Sequence, residues 1–128
     1  MSDGILKNDK IKMFWSPNSA SSADLKQWYP QSGKIDVVGI DIYPKSQQTF
    51  EQVYGDFCKA FSSATIPFVI GDTGAGPSDK QQWLGELVSP AAKTACPYYL
   101  GFFWFEYNKE ADFRVATGGQ TIAKSVLG

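Results

Sequence analysis

The sequence contains no histidine, and this absence removes several classes of catalytic site. Ser-His-Asp and Cys-His nucleophilic sites and the HExxH zinc motif all need an imidazole. The two cysteines, Cys58 and Cys96, are too few for a four-thiolate zinc site, and the sequence leaves open whether they form a disulfide or remain two thiols. We therefore predict no metal site and no cofactor, and any acid–base chemistry falls to carboxylates, tyrosine or lysine.

Clustered positive charge and long apolar runs are also missing. Arg114 is the only arginine among 12 basic residues, and the net charge is −1, so a nucleic-acid partner is not expected. No apolar stretch approaches the roughly 20 residues that span a bilayer, and residues 1–12 lack the apolar core of a signal peptide. We expect a soluble chain with no membrane partner and no export signal in these residues.

Four apolar runs rich in β-branched and aromatic residues fall at 11–15, 35–43, 66–70 and 98–105. Each is close to the length of a buried strand and shows little polar alternation. This pattern is typical of a parallel sheet that is covered by helices on its faces. The gaps between the runs are too long for hairpin turns, which also favours parallel strands.

The gaps between these runs carry helix signals. Thr49-x-x-Gln52 and Ser78-x-x-Gln81 are capping-box patterns, and each precedes apolar residues at helical spacing. Shorter helices are predicted over 21–28, which Pro30 ends, and over 121–127. The predicted order is therefore four successive βα units.

The spacing of the units favours half of a barrel. The predicted strands start at 11, 35, 66 and 98, which are 24, 31 and 32 residues apart, and a (β/α)8 barrel takes roughly 31 residues per unit. We predict that residues 1–128 form a single half-barrel domain of the α/β class. An open doubly wound sheet is the alternative, but its usual glycine-rich phosphate loop is not matched by residues 71–77.

Polar residues follow the apolar part of three predicted strands, at the end where barrels carry their chemistry. Strand alternation would place 39, 41 and 43, then 68, 70 and 72, then 102, 104 and 106, on inner faces. We therefore expect one cleft, with Trp15 as an added wall, surrounded by Asp41, Tyr43, Asp72, Trp104 and Glu106. Carboxylates beside aromatic rings are typical of a sugar site, because rings stack on pyranose faces and carboxylates bond hydroxyls or attack an anomeric carbon.

Each of these residues also has a purely structural interpretation. Asp72 can cap the turn that follows it, and Asp41 and Tyr43 can form an ordinary buried hydrogen-bonded pair. Trp104 is equally compatible with the core, and Glu106 with a charged rim.

Four segments together resemble a known family: FWSPN at 14–18, VVGIDIYP at 37–44, PFVIGDTG at 67–74 and GFFWFEY at 101–107. In this order they resemble strands five to eight, the C-terminal half, of fungal (β/α)8 glycoside hydrolases of the mannanase and endoglucanase type. Among these enzymes, glycoside hydrolase family 26 is the family to which we compare the segments. The resemblance spans essentially the whole chain.

The resemblance implies roles for particular residues. Asp72 falls at the nucleophile position, Asp41 and Tyr43 at strand-six positions that line the sugar site, and Trp104 at the strand-eight aromatic beneath the sugar. Tyr107, in the same segment as Trp104, is a further candidate for substrate binding. The family has Glu where this chain has Asp72, and the acid/base residue belongs to strands one to four, which are absent here.

Because the acid/base carboxylate of the family is missing, Glu106 is the only residue that we can name to take its catalytic role. We therefore expect a carbohydrate-binding protein derived from a glycoside hydrolase, with weak or no hydrolysis and with an oligo- or polysaccharide as partner. The alternatives are an active β-mannan or β-glucan hydrolase with Asp72 as nucleophile, and an inactive truncated barrel fragment. The resembled family is typically secreted, and the localisation of this chain stays open.

A half-barrel has two unpaired sheet edges and an uncovered inner face. On the alternation above, this face includes Phe68, Ile70 and Phe102. We expect a homodimer in which two copies close a pseudo-complete barrel.

Overall fold

The computed structural model describes residues 8–31, 33–116 and 120–128. Within these ranges strands and helices alternate along the chain, and all of the strands belong to one sheet. The elements are β1 (Phe14–Trp15), α1 (Ser22–Trp28), β2 (Val37–Val38), β3 (Asp41–Ile42), α2 (Phe50–Phe61), β4 (Phe68–Thr73), α3 (Lys80–Val88), α4 (Pro90–Ala95), β5 (Tyr99–Trp104) and α5 (Gln120–Leu127).

The sheet is parallel throughout its described part. When β2 and β3 are counted as two segments of one strand, the strands lie side by side in chain order. β1 pairs with β2, β2 and β3 both pair with β4, and β4 pairs with β5. A doubly wound sheet would instead reverse its strand order at a switch point. The predicted α/β class, with a parallel sheet covered by helices, is confirmed, and the strand order is that of one half of a barrel.

The single strand predicted over 35–43 is divided into β2 and β3. Gly39 lies between them, and a Cβ atom there would stand 2.3 Å from the Val69 carbonyl oxygen and 2.7 Å from the Phe14 ring. A side chain at position 39 would therefore displace the neighbouring strands, and glycine permits their close approach.

A bulge in β4 decides which side chains face the helices. Val38 pairs with Phe68, but Asp41, three residues on, pairs with Asp72, four residues on. The extra residue lies between Ile70 and Thr73, so Thr73 instead of Asp72 joins Phe68 and Ile70 on the fully buried, helix-facing side. The prediction that Phe68, Ile70 and Asp72 share an open inner face is therefore wrong, because Phe68 and Ile70 belong to the core.

The core lies between the sheet and α2, α3 and α4. The Phe68 ring packs against Tyr54 and Phe57 of α2, with centroid distances of 5.6 and 5.5 Å. A disulfide joins Cys58 of α2 to Cys96, which follows α4, and it settles the alternative that the sequence left open. This crosslink fixes two helices of the same layer to each other.

Of the two capping boxes predicted from the sequence, the one at Thr49 is confirmed and the one at Ser78 is wrong. Thr49 and Gln52 form both hydrogen bonds of a capping box at the start of α2. α3 begins at Lys80 instead of after Ser78, and its N-cap residue makes no side-chain cap hydrogen bond. Pro90, expected only to end a helix, also begins α4, because a helix's first position needs no N–H donor.

The face of the sheet opposite the helices is open. Phe14, Leu100 and Phe103 are 42%, 66% and 61% exposed. All three residues predicted for this face were assigned wrongly, since Phe68 and Ile70 belong to the core and Phe102 packs against it. The open face nevertheless carries large apolar side chains of β1 and β5, the two edge strands of the described sheet.

Candidate functional site

The C-terminal ends of β3 and β4 bring a tyrosine and a carboxylate together. Asp41 and Asp72 are register partners on these neighbouring strands, and the Tyr43 hydroxyl donates a hydrogen bond to Asp72 Oδ2. Partial burial of the phenol, together with this bond and the negative charge of Asp72, raises the pKa of Tyr43 well above its usual range. The phenol therefore keeps its proton at neutral pH, and by donating this hydrogen bond it orients the carboxylate of Asp72.

The second carboxylate of the site, Asp41, is held by the residue that follows β1. The Ser16 hydroxyl donates to Asp41 Oδ1 at 2.8 Å. A Cβ atom at Gly71 would lie 2.0 Å from Ser16 Oγ and 2.3 Å from Asp41 Oδ1, so only glycine leaves room for this pair. Ser16 and Gly71 were not among the predicted site residues, although both lie inside the segments that carry the family resemblance.

A groove with a cavity volume of about 630 Å³ adjoins Tyr43. Two phenylalanine rings stand edge-on to the tyrosine, with centroid distances of 5.9 Å for Phe105 and 6.0 Å for Phe113. Charged side chains of both signs, Lys45, Lys109, Asp79 and Glu110, complete its rim. The groove is therefore apolar in its lining, carries mixed charges at its rim, and lies beside the Tyr43–Asp72 pair.

Two of the predicted site residues hold the loop after β5 in place. The Trp104 indole packs against the core, and its N–H donates to the Phe113 carbonyl at 2.7 Å. Both carboxylate oxygens of Glu106 accept backbone N–H groups, from Val115 and Ala116, at 3.0 Å each. Both contacts fit the structural interpretations weighed for Trp104 and Glu106.

The other two aromatic candidates lie apart from the carboxylates. Trp15 packs among Tyr29, Phe57 and Phe61 on the helix side of the sheet, so it forms no wall of the cleft. Tyr107 is 59% exposed, and its ring lies 5.9 Å from the ring of Phe105. The structure thus brings Asp41, Tyr43 and Asp72 together, places Tyr107 beside a groove residue, and buries Trp15 elsewhere.

A buried lysine anchors the same loop, although lysine is among the residues that are mostly exposed in folded proteins. Lys80 is only 5% exposed, and its ammonium group donates to the Arg114 carbonyl at 2.8 Å. Arg114 in turn pairs with Asp112 at 2.8 Å, and this contact lowers the pKa of Asp112 to about 2. The position of Lys80 near the start of α3 gave no signal for this role, because the loop that it reaches is 34 residues away.

The described ranges contain neither a cluster of metal ligands nor a helix that could span a membrane. No group of three or more His, Cys, Asp or Glu side chains there could hold a metal ion. None of the helices in the same ranges has both the length and the apolar character needed to cross a bilayer.

Comparison with known proteins finds a weak sequence relative and a structural match, both much longer than this chain. No protein-family model matches the chain. Endoglucanase H of Acetivibrio thermocellus is 25% identical over 105 aligned positions, which cover 74% of this chain and 12% of the relative. Among solved structures, the crystal structure of ScGas2 in complex with compound 8 matches with a TM-score of 0.57 and 20% identity, over 89% of this chain and 28% of that one.

The chain spans a small part of each of these two proteins, so the whole protein's activity is not carried over with the match. The predicted resemblance to glycoside hydrolases is supported in its coarse form, whereas family 26 and a fungal origin stay predictions. In its parallel α/β fold, and weakly in its sequence, the chain is similar to a fragment of a (β/α)8 glycoside hydrolase.

Proposed function

We propose that this chain binds a neutral oligo- or polysaccharide at the C-terminal ends of β3 and β4. The observation that carries the proposal is the Tyr43–Asp72 hydrogen bond beside Asp41 and the aromatic groove. Sugar hydroxyls are both donors and acceptors, so a carboxylate and a phenol in contact offer them matched partners. The Tyr43 and Phe105 rings supply apolar surface for a pyranose face.

Binding with weak or no hydrolysis fits these contacts better than turnover does. A retaining glycosidase needs two carboxyl groups about 5–5.5 Å apart, one of them able to give a proton. Glu106 directs both oxygens at backbone N–H groups of its own loop, so it is poorly suited to be the acid. An active hydrolase with Asp72 as nucleophile is the second candidate, supported by the register pairing of Asp72 with Asp41.

Calorimetric titration with manno- and β-gluco-oligosaccharides tests the binding. Asp72→Asn and Tyr43→Phe are each expected to weaken binding about 10-fold or more, because each removes a hydrogen-bonding group of the site. Tyr98→Phe is the matched control, since Tyr98 is exposed at the opposite end of β5. Equal affinity in all four proteins would refute the site.

Overnight incubation of the same sugars, read by mass spectrometry, separates the two candidates. Unchanged oligosaccharides with the wild-type protein support binding alone. New shorter products that disappear with Asp72→Asn would establish hydrolysis and overturn the view that the chain only binds. Saturable binding in the absence of products is the expected combination.

A second copy of the chain is the protein partner that we propose. The face of the sheet that a complete barrel would enclose carries the exposed side chains of Phe14, Leu100 and Phe103. β1 and β5 form the two edges of the described sheet, and each edge could accept a further strand. Two copies related by a two-fold axis would pair β5 of each with β1 of the other. A dimer in sedimentation analysis that Phe103→Ser weakens and Trp28→Ser leaves intact supports this pairing, and a folded monomer at tens of micromolar contradicts it.

A further inference from the structure

The buried Thr73 hydroxyl carries more hydrogen bonds than its place in the strand requires. Thr73 is fully buried, and it lies directly after Asp72 in β4. We infer that Thr73 is a positioning residue, whose hydroxyl holds the ends of β3 and β4 so that Tyr43 and Asp72 stay in contact. This inference rests on the proposed function for its importance, but its test does not depend on any sugar.

Three groups meet at this one oxygen. Thr73 Oγ1 donates to the Ile42 carbonyl at 2.7 Å. It accepts from the Trp83 indole N–H at 3.0 Å and from the Tyr54 hydroxyl at 3.3 Å. A hydroxyl has one proton and two lone pairs, so all of its capacity is used.

The positions of these partners connect the hydroxyl to the site. Ile42 immediately precedes Tyr43 and is the register partner of Thr73, so the bond joins the two strands at the residues next to the Tyr43–Asp72 pair. The Thr73 carbonyl also accepts the Phe105 N–H at 2.8 Å, which ties in the chain that leaves β5. Three strand ends therefore converge on one residue.

The two donors come from different helices. Tyr54 belongs to α2 and Trp83 to α3, and both side chains are fully buried. Neither ring can turn toward water for a replacement partner. The helix layer thereby fixes the orientation of the hydroxyl, and the hydroxyl in turn fixes the strand that leads to Tyr43.

Two substitutions separate the hydroxyl from the shape of the side chain. Thr73→Val keeps the volume and removes the oxygen, whereas Thr73→Ser keeps the oxygen and removes a methyl group. If only packing matters, Val is the milder change. If the hydroxyl positions the pair, Ser preserves the site and Val loosens it.

Tyrosine ionisation, followed by ultraviolet absorbance, reports on the pair. The pKa of Tyr43 is raised by burial and by Asp72, and burial also raises the pKa of Tyr54 and Tyr99. At about pH 11, most exposed tyrosines are ionised, whereas these three stay largely neutral in the wild-type protein. We expect one further tyrosine to be partly or fully ionised at this pH in Thr73→Val, as in Asp72→Asn. The titration of Thr73→Ser is expected to match that of the wild type.

The double variants assign the signal. The extra ionisation is expected to vanish in Thr73→Val/Tyr43→Phe and not to increase in Thr73→Val/Asp72→Asn, because both changes act on one contact. A Thr73→Val titration equal to that of the wild type overturns the inference, as does an extra tyrosine that persists without Tyr43. If Thr73→Val does not fold, Tyr54→Phe replaces it with a smaller expected rise, and no rise overturns the inference.

Discussion

The disulfide between Cys58 and Cys96 makes a large and measurable contribution to stability. It closes a loop with a sequence separation of 38 residues between α2 and the end of α4. A crosslink reduces the conformational freedom of the unfolded chain, and the effect grows with the logarithm of the loop length. For a loop of this size the chain-entropy model gives about 4 kcal/mol at room temperature.

This contribution is large for a chain of 128 residues. Domains of this kind are typically stable by about 5–15 kcal/mol, so the crosslink accounts for a substantial share. At roughly 3–5 °C for each kcal/mol, its removal corresponds to a fall in Tm of about 12–20 °C. Both cysteines are nearly or fully buried, so the loss of sulfur packing adds to the effect.

Urea denaturation of the wild-type protein and of Cys58→Ala/Cys96→Ala measures the effect. We expect the midpoint of the reduced wild-type protein to fall by the equivalent of about 4 kcal/mol. The midpoint of Cys58→Ala/Cys96→Ala is expected to fall by at least as much, because this variant also loses the sulfur packing. The reduced wild type is the control, because it lacks the crosslink but keeps both sulfur atoms. A loss below about 1 kcal/mol in both samples would refute the reasoning.

Three further predictions concern the site and its loop. Gly71→Ala is expected to break the Ser16–Asp41 contact and to weaken sugar binding at least several-fold in calorimetry. Gly85→Ala in α3, whose Cβ would meet nothing within 4 Å, serves as the neutral control, and equal affinities of the two variants would contradict the account. Lys80→Met removes the buried hydrogen bond to the Arg114 carbonyl. We expect it to lower the free energy of unfolding, measured in urea, by roughly 1–3 kcal/mol and to speed proteolysis within 105–116. Unchanged stability and cleavage would show that this anchor is dispensable. The pKa of Asp112 is lowered to about 2 in the folded state, so its pair with Arg114 supports the fold above about pH 4 and is lost as the pH falls toward 2. NMR titration of Arg114→Gln should return the pKa of Asp112 toward 3.8, and a pKa that stays near 2 would assign the shift to another cause.

The sequence predicted the approach of Tyr43 and Asp72, because parallel strands end at the same edge of a sheet. Apolar runs marked the strands, and the proline after Tyr43 marked the end of one of them. The glycine after Ile70 did not mark the end of the other, because β4 continues through Gly71 to Thr73. The capping box at Thr49 was equally readable, since its two hydrogen bonds lie within four residues. Local patterns therefore carried the order of the elements and the place of the site.

The faces of the strands could not be obtained in the same way. Strict alternation assigned Phe68, Ile70 and Asp72 to one open face. Phe68 and Ile70 instead face the covering helices, and the β4 bulge puts Thr73 on their side in place of Asp72. Alternation also placed Trp104 in the cleft, whereas its indole N–H bonds the Phe113 carbonyl. A bulge depends on the register of three strands, and a single sequence does not encode that register in any local signal.

The central claim is that the Tyr43–Asp72 pair and the adjoining groove form a sugar-binding site. Residue-resolved NMR titration of the isotope-labelled protein with manno- and β-gluco-oligosaccharides tests this claim most directly. The account predicts saturable shifts centred on Asp41, Tyr43, Asp72, Phe105 and Phe113, which Asp72→Asn weakens. No saturable shifts, or shifts confined to the crevice between α1 and α2, would contradict it.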